Sequence, residues 1–202
     1  VLGLRGTGSD TYSVDDLFVP DAFAPARDAP EERRVQGPAY SIGSILLYAT
    51  GFCGVTIGIA QRMVESLVVH ARGRHSKASM SAMAVNAGAQ KEIAILQARV
   101  ASARAYLHAA AGDAHRAAAE GRLDLDMRMR LRLATTHGMN EATDVSVACY
   151  RAAGTPAILD AAPFERRLRD ALTAGQHVQA LHGHYERVGR HMLGVENDGR
   201  YV

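Results

Sequence analysis

The chain has 202 residues, of which 48% are hydrophobic and 22% charged, a composition typical of a globular domain with a sizeable core rather than of a disordered chain. Its 23 basic and 21 acidic residues give a net charge of +2 and are interspersed, so the sequence has no basic stripe of the kind that follows a nucleic-acid backbone. Cys53 and Cys149 lie far apart without a CxxC or Cys/His cluster, which argues against structural zinc and disulfides and fits a reducing cytoplasm.

Residues 1–24 have the composition of β-strands. β-Branched and aromatic side chains dominate residues 11–14 and 17–19, and glycines and Pro20 punctuate them. Gly6-Thr7-Gly8 lacks the third glycine of a dinucleotide-binding loop and leads into a strand where that motif needs a helix, so a nucleotide loop is not favoured. One or two strands cannot make a sheet alone, so we interpret the chain as part of a longer polypeptide.

The polar, proline-containing residues 25–40 are predicted to be a linker, and the residues that follow are predicted to be helical. Hydrophobic periodicity predicts five helices, near residues 41–72, 85–120, 124–153, 162–172 and 176–193. Asp124 is the expected N-cap of the third helix. Long amphipathic helices with short connections predict an all-α antiparallel bundle, preceded here by a short β remnant.

The first long helix contains an unusual uncharged stretch. No charged residue occurs from 35 to 61, and Gly54 and Gly58 have GxxxG spacing, so by length alone this is a candidate membrane span. Its serines, threonines and glycines weaken the drive to insert, and no second span accompanies it. We therefore interpret it as the central helix of a soluble bundle, buried on most sides, with glycines that admit close neighbours.

The order of these segments resembles the acyl-CoA dehydrogenase superfamily and covers essentially the whole chain. Arg5-Gly6-Thr7 followed by Phe18-Val19-Pro20 is similar to the last strands of the middle β-domain in that superfamily, and Leu168-Arg169-Asp170-Ala171 is similar to a motif of its C-terminal helical domain. The resemblance implies that residues 1–24 end a truncated β-domain. It further implies a linker at 25–40, the helical domain at 41–193 and a tail at 194–202.

The resemblance also implies positions that bind the flavin. Arg74 matches an arginine that reaches the flavin pyrophosphate of a neighbouring subunit, a task suited to the planar guanidinium fork, although a solvated arginine at a helix end is the alternative. The turn at Gly154-Thr155 matches a glycine-rich turn beside the adenosine half of the flavin, where the double glycine of the family is here Ala153-Gly154. Arg169 is assigned to cofactor binding with them.

The catalytic carboxylate of the dehydrogenases is missing. Its position, a few residues beyond the Arg-Asp-Ala motif, corresponds to Val178, and no acidic residue occurs from 171 to 185. Some branches place the base early in the first long helix, but residues 34–62 contain no Asp or Glu. Because a base must lie within hydrogen-bond reach of the proton it removes, ordinary acyl-CoA dehydrogenation is not favoured.

His177 adjoins the vacated position and is the candidate catalytic residue. It resembles the histidine that the monooxygenase branch places against flavin and substrate, where imidazole can accept a phenolic proton or donate a hydrogen bond to flavin-activated oxygen. A helix-capping or core histidine is the alternative. Asp170 is the second candidate, to orient a neighbouring arginine or histidine, unless it pairs locally with Arg166 or Arg167.

A metal site is not expected among the histidines near the C-terminus. His177, His184 and His191 are seven residues apart, so on one helix they would be separated by about 10.5 Å along the axis. A metal–histidine bond is only about 2 Å long.

These observations favour a flavin-dependent two-component monooxygenase that uses reduced FMN or FAD from a separate reductase on an aromatic or heteroaromatic small molecule. The resemblance implies a homo-oligomer, a dimer of dimers, and we expect it to be cytoplasmic, without nucleic-acid or membrane partners. An acyl-CoA dehydrogenase with a relocated base and a non-catalytic helical oligomerisation module are the alternatives. The fragment alone is expected neither to retain flavin nor to be active.

Overall fold

The computed structural model describes residues 1–25, 29–73, 83–195 and 202, and within these it contains six α-helices and no β-strand. The helices are α1 (Pro38–Ser41), α2 (Ser44–Gly73), α3 (Ala87–Ala119), α4 (Leu125–Ala153), α5 (Glu165–Gly175) and α6 (Gly183–Met192). The predicted all-α bundle is confirmed, and the three long helices begin and end within a few residues of their predicted bounds.

Local signals account for the starts of α3 and α4. The predicted N-cap is confirmed, because the Asp124 carboxylate accepts a hydrogen bond of 2.9 Å from the Met127 amide. Asn86 caps α3 in the same way, at 3.0 Å from the Ala89 amide. Between them Gly121, at φ +67°, provides the left-handed conformation that ends α3 and turns the chain back for antiparallel packing.

The centre of the bundle is α4 rather than α2. It packs against all four of α2, α3, α5 and α6, and small side chains such as Ala134, Ala142 and Ser146 are fully or almost fully buried on it. By contrast, α2 leaves Tyr48 and Val55 exposed. The interpretation of the uncharged helix as central was therefore wrong, because small residues, more than apolar ones, allow neighbours to approach from every side.

The glycines of α2 do not admit neighbours among the described residues. A Cβ placed on Gly54 or Gly58 would meet nothing within 4 Å. The close approach is instead made by Gly138 of α4, where a Cβ would lie 2.5 Å from Sγ of Cys53. By length and composition α2 could cross a bilayer, with 33% of its most apolar window buried, but the core helix of a soluble protein passes the same test.

The predicted last helix is interrupted. The chain bends at His177, which caps a 3₁₀ turn (Val178–Ala180), and α6 begins only at Gly183. Asn140 of α4 holds this interruption, because its Nδ2 donates to the Ala180 carbonyl at 2.9 Å and its Oδ1 contacts His182 Nε2 at 3.1 Å. The side chain of a distant helix thus overrides the helical periodicity of the segment.

The strand-like residues 1–24 form no strand. They contain two 3₁₀ turns (Arg5–Thr7 and Asp21–Phe23), and their apolar side chains, such as Phe18 at 85% exposure, face solvent. A strand needs a hydrogen-bonded neighbour, and the described residues offer none. The predicted linker includes a third 3₁₀ turn (Pro30–Glu32) and α1.

Candidate active site around His177

His177 lies where α5 gives way to the 3₁₀ turn, and two contacts set its orientation. Its ring stacks against Phe52 of α2, with centroids 4.0 Å apart and an interplanar angle of 33°. Its Nδ1 accepts a hydrogen bond from the Gln179 amide at 3.3 Å, which makes His177 the N-cap of the turn. The ring is half-buried.

The hydrogen bond at Nδ1 sets the tautomer of His177, and burial favours its neutral form. Because Nδ1 accepts from a backbone N–H, the neutral ring carries its hydrogen on Nε2. Burial lowers the pKa of His177 from its ordinary 6.5, so the neutral form dominates at pH 7. The side chain therefore presents a hydrogen-bond donor, and its lone pair is engaged by the backbone. Of the two roles expected from the sequence, the geometry favours donation over proton abstraction.

A buried polar network supports the turn that carries His177. Arg132 of α4 is fully buried, and its guanidinium donates to Oε1 of Gln179 at 2.7 Å. Burial, together with the charge of Arg187, lowers the pKa of Arg132 to about 10, which leaves it a cation at neutral pH. His184 of α6 is buried too, and its Nε2 donates to the Val178 carbonyl at 2.8 Å. The turn is thus bonded to two helices.

The two segments that contact the His177 ring carry exposed apolar side chains and no carboxylate. Val178 and Leu181, on the turn that follows His177, expose 42% and 53% of their surface, and Tyr48 lies one helical turn from Phe52 on the exposed face of α2. Neither α2 before residue 63 nor the chain from 171 to 185 contains Asp or Glu. The two elements that contact the His177 ring therefore supply no base.

The structure places Asp170 and Arg169 against the first residues of the chain. Oδ1 of Asp170 accepts a hydrogen bond of 2.6 Å from the Leu4 amide. Nη1 of Arg169 donates to the Leu2 carbonyl at 3.1 Å, and its Nε donates to Glu165 at 2.8 Å. Both side chains thus contact backbone or their own helix, and no described hydrogen bond joins either one to His177.

Gly154 and Thr155 lie at the end of α4, away from His177. Gly154 adopts φ +69°, which requires glycine, and begins a 3₁₀ turn (Thr155–Ile158) on the surface. Ala153 lies thirteen positions after Asn140, which bonds the His177 turn, a distance of about 20 Å along the α4 axis. Arg74 lies outside the described residues.

No group of three or more potential metal ligands occurs in the part of the chain that the structure describes. His184 bonds a backbone carbonyl, and His191 pairs with Asp126 at the opposite end of α6. Each of these imidazoles thus has a structural partner.

Sequence reasoning did not find four residues that shape this site: Phe52, Arg132, Asn140 and Gln179. A signal existed for Arg132, because it continues the buried stripe of α4 that includes Met129 and Met139, a position where a charged residue is rare. No pattern indicated Phe52, which lies 125 residues from His177 in the chain and meets it only in the folded molecule.

Comparison with known proteins identifies the family. The chain is 27% identical to the indole-3-acetate monooxygenase of Pseudomonas putida, over 96% of this chain and 50% of that protein. It is 28% identical to the FADH(2)-dependent resorcinol hydroxylase, oxygenase component, of Rhizobium sp. (strain MTP-10005), over 100% of this chain and 53% of that protein. The chain therefore spans about half the length of these relatives.

The fold agrees with this relationship. The HsaA monooxygenase from M. tuberculosis superposes with a TM-score of 0.85 at 24% identity, over 98% of this chain and 53% of that one. Residues 50–181 match the family described as acyl-CoA dehydrogenase, C-terminal domain. The chain belongs to this family.

Proposed function

We propose that the full-length protein is the oxygenase component of a two-component, flavin-dependent monooxygenase that hydroxylates an aromatic or heteroaromatic small molecule. His177 carries the proposal, because its half-buried ring stacks on Phe52 with Nδ1 bonded to the backbone and Nε2–H as its donor, and neither segment 171–185 nor segment 34–62 supplies a carboxylate. Relatives named as a monooxygenase and as the oxygenase component of a hydroxylase support the same reaction class. The domain assignment inferred from the sequence, with residues 1–24 continuing a preceding β-domain, belongs to this proposal.

The residues around His177 fit an aromatic ring system. Phe52 and Tyr48 offer aromatic faces, Leu181 offers apolar surface, and the half-buried imidazole offers one directed donor. Reduced FMN or FAD, when bound, supplies the activation of dioxygen. The Nε2–H of His177 would donate a hydrogen bond to an oxygen atom that gains negative charge, and the apolar side chains of Phe52 and Leu181 would exclude water.

The remaining cofactor contacts are proposed at the other end of the bundle. Gly154 and Thr155 present an exposed turn there, which suits close approach of a ligand to the backbone. Arg74 follows the last residue of α2 in the sequence, and we propose it as the partner of the flavin pyrophosphate of a neighbouring subunit. A separate reductase would supply the reduced flavin, and we propose a cytoplasmic location.

The test is the replacement of His177 in the full-length protein. His177→Ala should lower hydroxylation by roughly 10²–10⁴, the usual span for a lost proton-transfer or donor group, while release of hydrogen peroxide rises. His177→Gln, whose amide can still donate, should keep more activity than His177→Ala. The exposed His115→Ala is the control and should behave as wild type.

Two results would contradict this function. One is unchanged hydroxylation in His177→Ala. The other is anaerobic bleaching of the bound flavin by an acyl-CoA, which needs no oxygen and would indicate a dehydrogenase with its base elsewhere. A full-length protein without either activity would instead fit a helical oligomerisation module.

A further inference from the structure

The first residues of the chain are anchored at a single place, on α5. Among residues 1–25 only Gly3 is buried and only Leu4 is half-buried, while the rest are exposed. The Leu4 amide donates to the Asp170 carboxylate at 2.6 Å, and the Leu2 carbonyl accepts from Arg169 at 3.1 Å. We call these contacts, together with Gly3, the clasp.

The clasp requires glycine at its centre. A Cβ on Gly3 would lie 2.2 Å from the Arg169 carbonyl oxygen and 2.6 Å from the Asp170 nitrogen, both backbone atoms of a helix that cannot shift locally. Leu4 adopts the left-handed conformation at φ +52°, which is uncommon for a residue with a side chain and turns its amide toward Asp170. The chain therefore crosses α5 in close backbone contact.

Charge strengthens the clasp on both sides of Gly3. A hydrogen bond from a backbone amide to a carboxylate is stronger than one between neutral groups. Arg169 is held for its task by Glu165, whose two carboxylate oxygens accept from its Nε at 2.8 Å and its Nη2 at 3.1 Å. Consistent with this pairing, the pKa of Glu165 is lowered, first by the hydrogen bond from Arg169.

α5 links the clasp rigidly to His177. Asp170 lies five residues before Gly175, or about 7.5 Å along the helix, and only Gln176 separates Gly175 from His177. The end of α5 is pressed against α4, because a Cβ on Gly175 would lie 2.8 Å from Oγ1 of Thr143. A displacement of residues 2–4 at the clasp therefore changes the distance between His177 and the part of the protein that these residues connect to α5.

We propose that the clasp holds the preceding, flavin-binding domain of the full-length enzyme at a fixed distance from His177. Arg169 and Asp170 are then positioning residues and take no part in proton transfer or cofactor binding. This inference rests on the function proposed above. It replaces the catalytic role expected for Asp170 and the cofactor contact expected for Arg169. A clasp out of register leaves His177 misplaced relative to the reacting oxygen, which uncouples oxygen consumption from hydroxylation.

The experiment compares four variants of the full-length enzyme. Asp170→Ala removes the acceptor and should lower the ratio of hydroxylated product to hydrogen peroxide about tenfold or more, because small misplacements are costly to oriented reactions. Asp170→Asn keeps an acceptor oxygen and should restore most of the ratio with an unchanged pH profile. Gly3→Ala adds only a methyl group, with no polar or ionisable atom, and should reproduce Asp170→Ala because that methyl cannot fit against α5. Gly6→Ala is the matched control, since its Cβ would meet nothing within 4 Å.

A second measurement separates this inference from the proposed function. Hydrogen exchange of the Leu4 amide in the 202-residue chain should be slow in wild type and Asp170→Asn, and at least tenfold faster in Asp170→Ala and Gly3→Ala. If wild type lacks hydroxylase activity, the proposed function fails, while the exchange rates still decide whether the clasp exists.

Two results would overturn the clasp as a positioning device. One is equal exchange at Leu4 in wild type and Asp170→Ala. The other is an Asp170→Asn enzyme as impaired as Asp170→Ala, with a shifted pH profile, beside a Gly3→Ala enzyme that matches wild type.

Discussion

At the scale of single residues, two imidazoles near the turn are held neutral by their surroundings. His177 accepts a backbone hydrogen bond at Nδ1, and His184 donates one to the Val178 carbonyl. Burial lowers the pKa of both, because the charged ring loses hydration inside the bundle. Folding thus favours the neutral form of His177, which is the form that the proposed hydrogen-bond donation needs.

This preference makes the stability of the chain depend on pH. The ordinary pKa of both groups is 6.5, so as the pH falls through this value the unfolded chain takes up protons that the folded chain resists, and the free energy of unfolding decreases. We expect the midpoint of urea unfolding to be lower at pH 5.5 than at pH 7.5. His184→Gln and His177→Gln should each reduce this difference. A midpoint that is independent of pH would show that burial does not perturb either imidazole.

At the scale of elements, the contact between α2 and α4 depends on one glycine. Gly138 lets the backbone of α4 approach Cys53 and Ile57 of α2 within the main hydrophobic core. The glycines on the other face of α2, including Gly54, face open space in the described structure. Two glycines in the same pair of helices are therefore predicted to respond oppositely to alanine.

Gly138→Ala should destabilise the chain by about 1–3 kcal/mol, because its Cβ would clash with the Cys53 sulfur in a packed core. Gly54→Ala should stabilise it by about 0.5–1 kcal/mol, the gain in helix propensity at an exposed position. Urea unfolding of both variants against wild type measures these changes. Stabilisation by Gly138→Ala would mean that α2 and α4 pack less closely than described.

At the scale of the whole molecule, the exposed face of α2 predicts association. Val55 is 55% exposed on a helix without a charge before Arg62, one helical turn beyond Phe52 and the proposed substrate site. An apolar helix face that continues beyond a ligand site is available for contact with a second subunit. We propose that it contributes to a homo-oligomer of the full-length protein.

Sedimentation at micromolar concentration should show a homo-oligomer. Val55→Glu should shift it toward the monomer, because it buries a charge in an apolar contact. Ala101→Glu, at an exposed position of α3, is the control and should leave the assembly unchanged. A wild-type monomer would count against the flavoprotein and against the oligomerisation module alike.

The sequence by itself determined the features that depend on neighbours along the chain. The three long helices follow from hydrophobic periodicity, and the Asp124 cap follows from a hydrogen bond to a residue three positions on. The absence of Asp and Glu from residues 34–62 and 171–185 was likewise visible, because it needs no fold to be recognised. Such features are encoded within one or two helical turns.

Only the tertiary structure decided how these elements meet. The close approach at Gly138 and the stacking of Phe52 on His177 each join separate helices, and the bond from Leu4 to Asp170 spans 166 residues. The break in the helix around His177 depends on Asn140 of α4, whose side chain donates a hydrogen bond to the Ala180 carbonyl. Periodicity tells which face of a helix is buried, but the neighbour it meets depends on the shape and spacing of side chains in three dimensions, so the contact between Asp170 and Leu4 could not be derived before the fold.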